Sequence, residues 1–362
     1  MAELVSQRQE RIHGIIETAR SKPARFRDSH ITMAHGAGGR ASTALIEGLL
    51  VPAFGSPELQ ALADAATLSV DGVELALTTD SFVVKPLRFP GGSIGELAVN
   101  GTVNDLAMAG ARPLALTLSL VLEEGLDADT LRGEVDAIAC AARDAAVTIV
   151  AGDTKVVERG HADCMYICTT GLGARDPRAR LAPDGVRAGD VILLSGAIGE
   201  HGTAIMLARG ELGLDAEIES DTRPLWEAAE ALLAAAGDGL RCMRDATRGG
   251  VASVLNEIAR ASAVGMVVRE AAVPVTAPVT GAAELLGIDP MYVANEGKFV
   301  AFVAPEQAQD ALAALASVPA GEQVAVIGEV TAEQPGMVLI DTAFGGRRVL
   351  DQLVGDPLPR IC

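Results

Sequence analysis

The sequence predicts an α/β chain of the α+β type in two domains, on three observations. Its 362 residues suffice for two ordinary domains. Apolar runs of strand length alternate with longer stretches of helical pattern. Hydrophobic residues make up 49% of the chain, enough for a large core.

Residues 1–30 read as an N-terminal extension, in which Val5 to Arg20 suits a short amphipathic helix ended by Lys22-Pro23. A first unit follows over 31–185. Strands are expected at Ala66–Val70, Val73–Thr79, Leu114–Leu122, Thr148–Val150 and Met165–Thr170, with helices over Ala41–Leu50, Ile94–Ala109 and Thr130–Ala145. Arg175–Asp190, punctuated by Pro177, Pro183, Gly185 and Gly189, is a connector. A second unit over 186–345 opens with the buried-strand run Val191–Ser195. Helical stretches lie at His201–Arg209, Arg223–Ala236 and Gly250–Ala261, and strands at Gly265–Arg269, Lys298–Val303, Val324–Val330 and Met337–Ile340. Residues 346–362 form a flexible tail that carries Cys362.

Composition excludes several classes. A formal net charge of −19 opposes binding to nucleic acid or anionic membranes. Aromatics at 3% provide no stacking platform for single strands. No apolar run spans a bilayer and no signal-peptide core is seen, so a cytoplasmic protein is expected. The five cysteines lack a disulfide framework, and Cys164 and Cys168 read as two buried small hydrophobes on one strand face. His35 and His201, each beside glycine, read as loop residues without metal-ligand spacing.

The most informative segment is Pro359-Arg360-Ile361-Cys362. Pro357 and Pro359 keep the tail out of helix and strand interiors, so the thiol is expected to be accessible and mobile, as a travelling carrier requires. Upstream, Asp80, Asp105 and Asp153 each close an apolar run among small neighbours, which suits Mg²⁺ beside phosphates as well as it suits turns or caps. The loop His35–Arg40, with Gly38 and Gly39, could offer backbone N–H groups to phosphates, as could Pro90–Ser93; taken singly, a structural turn is the better reading of either. Lys155 shares a strand face with Asp153 and could balance a phosphate or oxyanion. Glu296 is either a general base or one of two solvated residues, with Lys298, on a surface hairpin. Asp245 or Thr247 fits an N-cap, while Gly249 and Gly250 could admit a ligand or another backbone.

These segments, in this order, resemble the HypE hydrogenase-maturation family of the aminoimidazole-ribonucleotide-synthetase-like (PurM-like) superfamily. The matching stretches are HGAGGR (35–40), TTDSFVVKPL (78–87), PGGSIGELAVNGTVNDLAMAGARP (90–113), GDTKVV (152–157), SGAIGEHGTAIM (195–206), MRDATRGGVA (243–252), YVANEGK (292–298) and PRIC (359–362). The resemblance implies a PurM-like fold whose N-terminal domains pair in a homodimer around a barrel-like core. It implies ATP and Mg²⁺ as cofactors, with Asp80, Asp105 and Asp153 on the metal and Gly38, Gly39 and Asn104 also on the nucleotide. It implies carbamoylation of Cys362 by the carbamoyltransferase HypF, then ATP-driven dehydration to a thiocyanate, with Lys155, Glu296 and Asp105 in catalysis. The cyano group would pass to iron on a HypC–HypD complex to become a ligand of a [NiFe] hydrogenase. The alternatives are another PurM-like synthetase or kinase acting on a free metabolite, and a non-catalytic thiol carrier.

Overall fold

The computed structural model describes residues 25–210, 216–353, 355 and 360–362. The helix expected over Val5–Arg20 lies outside them. A short helix α1 (Arg40–Leu45) follows the His35–Arg40 loop. A five-stranded sheet then forms from β1 (Ala66–Val70), β2 (Val73–Phe82), β5 (Ala111–Glu123), β6 (Thr148–Val157) and β7 (Met165–Arg175), in the order β1-β2-β7-β5-β6. The small hairpin β3 (Arg88–Phe89) and β4 (Gly92–Ser93) leads into helix α2 (Ile94–Met108), and α3 (Ala128–Asp144) packs beside it.

The second sheet has seven strands: β8 (Val191–Leu194), β9 (Leu240–Asp245), β10 (Gly265–Arg269), β11 (Phe299–Val303), β12 (Ala325–Thr331), β13 (Val338–Asp341) and β14 (Arg347–Val349). Their order is β14-β13-β10-β12-β8-β11-β9, with only β10 and β13 parallel. Helices α4 (Glu200–Ala208), α5 (Trp226–Ala236), α6 (Gly250–Ala261), α7 (Ala277–Leu286) and α8 (Ala308–Ala316) complete this half. No described helix is long and apolar enough to cross a membrane.

Helix α2 organises both halves. It is buried almost all round, its large apolar side chains interspersed with Gly, Ala and Thr and with the polar residues Glu96, Asn100, Asn104 and Asp105, so neighbours approach on nearly every side. One side lies on β2, β7 and β5, while other residues meet β9 and α5 of the second half. In the first sheet, Ala76, Thr78 and Phe82 point towards α2 and are buried, whereas Leu77 on the opposite face is exposed. That opposite face also exposes Leu172 of β7.

Most elements follow the sequence reading to within a few residues, with instructive differences. β6 runs to Val157, well beyond Val150, because its alternation is hidden by exposure on both faces. The tail begins later than expected. β14 pairs with β13, Leu350 is fully buried, Asn256 donates to the Leu350 carbonyl at 2.9 Å and Tyr292 to that of Asp351 at 2.9 Å. Arg40 N–H then reaches the Leu353 carbonyl at 3.3 Å. The cysteine expectation is also corrected: Cys164 is exposed and Cys168 half-buried, since Cys164 sits in a left-handed turn ahead of β7.

Asn104 seals the seam between the halves. Its amide donates to the carbonyls of Arg223 at 3.0 Å and Glu296 at 3.1 Å, and its oxygen accepts from Leu225 N–H at 2.8 Å. Asn104→Ala should strand three buried main-chain groups and destabilise the chain by about 2–4 kcal/mol, read as a lower urea midpoint.

Candidate active site and docked tail

The site lies where the carboxyl-side end of β2, helix α2, the end of β9 and the turn before β11 converge. Asp105 on α2, Asp245 at the end of β9 and Asp64 just before β1 bring carboxylate oxygens within 4.8 Å of one another. The Thr78 hydroxyl lies 2.7 Å from Asp105 Oδ2. Burial and the neighbouring carboxylates of Asp245, Asp64 and Asp80 hold Asp105 well above the usual carboxylate range. Asp245 is raised in the same way, by burial and then by Asp64. Burial pushes Asp64 up to about 6, although its ion pair with Arg244 at 2.7 Å opposes the shift. Asp80 is raised by burial and opposed by Arg248.

Glu296 joins this group from the opposite wall. It is buried, and burial together with Asp245, Asp80 and Asp221 keeps its carboxyl well above its ordinary range. The turn that carries it is fixed from behind: Asp221 accepts from Glu296 N–H at 3.0 Å and Gly297 N–H at 3.3 Å. Lys298, also buried, lies 3.3 Å from Asp221 and 3.8 Å from Glu200. The surface-hairpin alternative therefore fails for both Glu296 and Lys298. A Cβ on Gly297 would stand 1.9 Å from the Asp221 carbonyl oxygen, so this turn closes only with glycine.

Residues 360–362 fill the mouth of the cleft. The Cys362 main-chain oxygen accepts from Val83 N–H at 2.9 Å and the Arg360 carbonyl from Lys85 N–H at 3.3 Å, so the tail runs beside the segment after β2. Ile361 is buried in a hydrophobic cluster to which both halves contribute. The thiol faces Arg248, Glu296, Asp80 and Asp245; burial, partly offset by Arg248, pushes it from its usual 9.0 to about 12. Arg248 is in turn raised chiefly by Cys362, then by Asp80, Glu296 and Asp105, and its guanidinium also donates to the Gly36 carbonyl at 3.2 Å. A cavity of about 130 Å³ opens beside the sulfur, lined in part by Gly36, Ala37, Ser81, Arg248 and Gly249. It has room for a group of a few heavy atoms on sulfur. The freely accessible thiol expected from sequence is thus replaced here by a docked one.

The remaining expected residues are placed as follows. Asp80, Asp105, Glu296 and Cys362 come together. Gly38 and Gly39 lie close by, but as packing positions: Gly38 N–H is taken by Ser42 Oγ at 3.0 Å, and side chains at the two glycines would strike the Arg248 and Leu353 carbonyls at 2.5 Å. Asn104 is spent on the seam described above. Asp153 and Lys155 do not join the cluster within one chain. They pair with each other on the exposed edge strand β6. With β7 and β5 between it and β2, β6 stands about 14 Å across the sheet from Asp80. The two carboxylates that lie within 4.8 Å of that of Asp105 are those of Asp64 and Asp245 instead.

Neither Asp245 nor Thr247 caps α6; Gly249 does. A Cβ on Gly250 would lie 2.5 Å from the Met291 carbonyl oxygen, so that glycine admits another backbone, as one of the two readings held. The Pro90–Ser93 turn packs against Ser220, whose N–H donates to the Pro90 carbonyl at 2.8 Å, and a Cβ on Gly91 would stand 2.6 Å from the Ser220 nitrogen. His201 is fully buried on α4 and contacts the tail, contrary to a loop assignment. Sequence reasoning missed Asp64, Arg244 and Arg248. An acidic residue immediately before the β1 run was the available signal for Asp64.

A half built around a five-stranded sheet, a half built around a seven-stranded one and an acidic cleft between them define the class. The chain belongs to the AIR synthase related family, whose N-terminal domain model matches residues 62–174 and whose C-terminal domain model matches 187–340. Within that family it groups with HypE. The carbamoyl dehydratase HypE of Rhodobacter capsulatus is 48% identical over 93% of this chain and 99% of that protein. A HypE in complex with ATP matches at a TM-score of 0.77 and 46% identity, covering 92% of this chain and 100% of the other. HypE from a HypE–HypF complex matches at 0.81 and 45%, covering 86% and 100%.

The raised thiol has a pH consequence. Docking is at full strength below pH 9, where the thiol is protonated in both states, and weakens as pH rises from 9.0 towards about 12. Trypsin cleavage after Arg360 should accelerate about tenfold more between pH 8 and pH 10 in the parent than in Cys362→Ser, which has no thiol to ionise.

Proposed function

We propose that this protein is a carbamoyl dehydratase that uses ATP to convert the S-carbamoylated Cys362 to an S-thiocyanate for [NiFe] hydrogenase maturation. The placement of Cys362 carries this reading: its sulfur sits inside its own chain's acidic cleft, beside a cavity of carbamoyl size. A neutral S-carboxamide enters that site without burying a charge, which the free thiolate could not do.

The reaction balances as two steps. The carboxamide oxygen attacks the γ-phosphorus of ATP, ADP leaves and one N–H proton is lost. The C–O bond then breaks with departure of phosphate, the second N–H proton leaves and the C≡N bond forms. Phosphorylation makes a poor leaving group a good one. Arg248, facing the sulfur, is placed to stabilise charge on the oxygen and phosphate. Glu296 is positioned to accept a proton, and its elevated affinity for one suits a base of that kind once it is ionised.

Mg²⁺ fits the donor set. Three carboxylates crowded within 4.8 Å, all raised by burial, form a hard-oxygen site whose mutual repulsion a divalent ion relieves. Asp64, Asp105 and Asp245 would hold it, with Asp80 adjacent. Such an ion would supply charge neutralisation for the transferring phosphoryl group.

The homodimer is also proposed. The first sheet exposes Leu77 and Leu172 on its open face and Val150 and Val156 on edge strand β6, surfaces that a second copy would cover as a barrel-like core. Asp153 and Lys155 would then serve the partner's cleft. HypF as carbamoyl donor and HypC–HypD as cyanide acceptor complete the reading, together with a cytoplasmic setting. A free-metabolite kinase has no use for a docked tail.

After carbamoylation by HypF, ATP should remove about 18 Da from the C-terminal peptide by intact mass. Asp105→Asn should retain the carbamoyl group and lose water at least about 100-fold more slowly, whereas loss at the parent rate would refute the assignment. Mixing Lys155→Ala with Cys362→Ala subunits tests the dimer. Dehydration should reappear in the mixture if Lys155 acts across the interface, and stay absent if it acts within its own chain.

A further inference from the structure

The terminal tripeptide is bound by groups that the chemistry above does not use. A main-chain oxygen of each of its three residues is taken, that of Cys362 belonging to the terminal carboxylate. Arg209 donates to the Arg360 carbonyl at 2.8 Å, in addition to Lys85 N–H. His201 Nε2 lies 2.6 Å from the Ile361 carbonyl, and Val83 N–H is bonded to Cys362. Burial lowers the proton affinity of His201, so a neutral ring is favoured. It then donates from Nε2 to the tail while Nδ1 accepts from the Ser220 hydroxyl at 2.8 Å. Phe89 meets the ring edge-on at 5.6 Å between centroids.

The side chains are read as well. Ile361 is only 4% exposed, within the cluster that includes Phe89, Ile205 and Val293. The Arg360 guanidinium pairs with Asp163 and donates to the Val83 carbonyl. Asp163 also pairs with Lys85 at 3.0 Å, and these two cations hold its carboxyl below the usual range. Arg209 donates in addition to the Lys85 carbonyl at 3.0 Å, tying the receptor strand to α4.

We propose that Asp163, Lys85, Arg209 and His201 form a recognition site for the tripeptide Arg-Ile-Cys. In it Asp163 is a positioning residue: by holding Arg360 it sets how long the cysteine remains in the cleft. Three backbone acceptors, one apolar side chain and one cation are each met by a separate partner, which is how peptide segments are read by sequence. An isolated exposed ion pair contributes little, but here one carboxylate is shared by two cations beside a buried anchor. The inference rests on the reading that Cys362 is the modified group, and deepens it by naming what selects the segment that delivers it.

The test is the rate of native alkylation of unmodified Cys362 by iodoacetamide in the full chain, followed by peptide mapping. Asp163→Asn should raise that rate about 5- to 10-fold while Cys242, buried elsewhere, stays protected. The double variant Asp163→Asn with Arg360→Gln should be no more than about twofold more reactive than either single variant, because both changes remove the same pair. Ile361→Ala, which leaves the ion pair intact, should also expose the thiol. If Asp163→Asn does not fold, Arg360→Gln removes the same pair from the tail side. An Asp163→Asn rate within about twofold of the parent, or a double variant whose effect is the product of the two single effects, would overturn the proposal. The assay contains no nucleotide or carbamoyl donor. Failed dehydration with normal protection therefore counts against the catalytic reading alone.

Discussion

The structure depends on a single shared helix. α2 is a core element of the five-stranded half and, at the same time, the surface on which β9 and α5 of the seven-stranded half rest. Such a helix must be largely apolar and small-residue-rich, so the polar groups on it call for specific partners, although the buried Asn100 Oδ1 has none. Asn104 meets that demand by tying the halves together, and its neighbour Asp105 projects into the cleft the halves create. Seam and site are therefore set by consecutive residues, and the position of Asp105 relative to Asp245 and Glu296 is as rigid as the packing of α2.

Charge in the cleft follows from that packing. Carboxylates drawn from β2, α2, β9 and the Asp64 turn are crowded with few cations: Arg244 pairs with Asp64 and Glu257, and Arg248 stands at the mouth. The result favours protonated or cation-bound carboxyls and a neutral sulfur. On the reading proposed above, it would suit an uncharged acyl group on the cysteine and phosphates neutralised by a divalent ion. Behind the site, Asp221, Lys298 and Glu200 form a second, paired set that carries the Glu296 turn without entering the reaction space.

The alternation of β2, the helical period of α2 and the breaks at glycine and proline were legible in the chain, because each is a local property. Asp80, Asp105 and Glu296, which the structure brings together with Cys362, stand out in the chain beside small residues, and Cys362 by the prolines that precede it. The partnership of Asp64 and Asp245 was not legible, since it depends on how β1 and β9 meet across the seam, some 180 residues apart in sequence. Asp153 and Lys155 looked equivalent to the other site residues because period-2 alternation reports the strand face but not the strand's place in the sheet. The order β1-β2-β7-β5-β6 puts them on the outer edge. His201 resembled a loop residue because glycine lies on both sides of the Glu200-His201 pair, whereas the local chain starts a helix there and the ring is buried by a segment 160 residues later.

The anchoring of Leu350 to Leu353 has a consequence for traffic through this protein. Only the nine residues 354–362 lie beyond the last anchor, a leash of at most about 30 Å when fully drawn out. On the reading proposed above, a donor or acceptor would not be visited at a distance on so short a stretch of chain. Each would bring its own reactive centre to the rim of the cleft, so that successive clients would compete for the same berth and handover would become a matter of turn-taking.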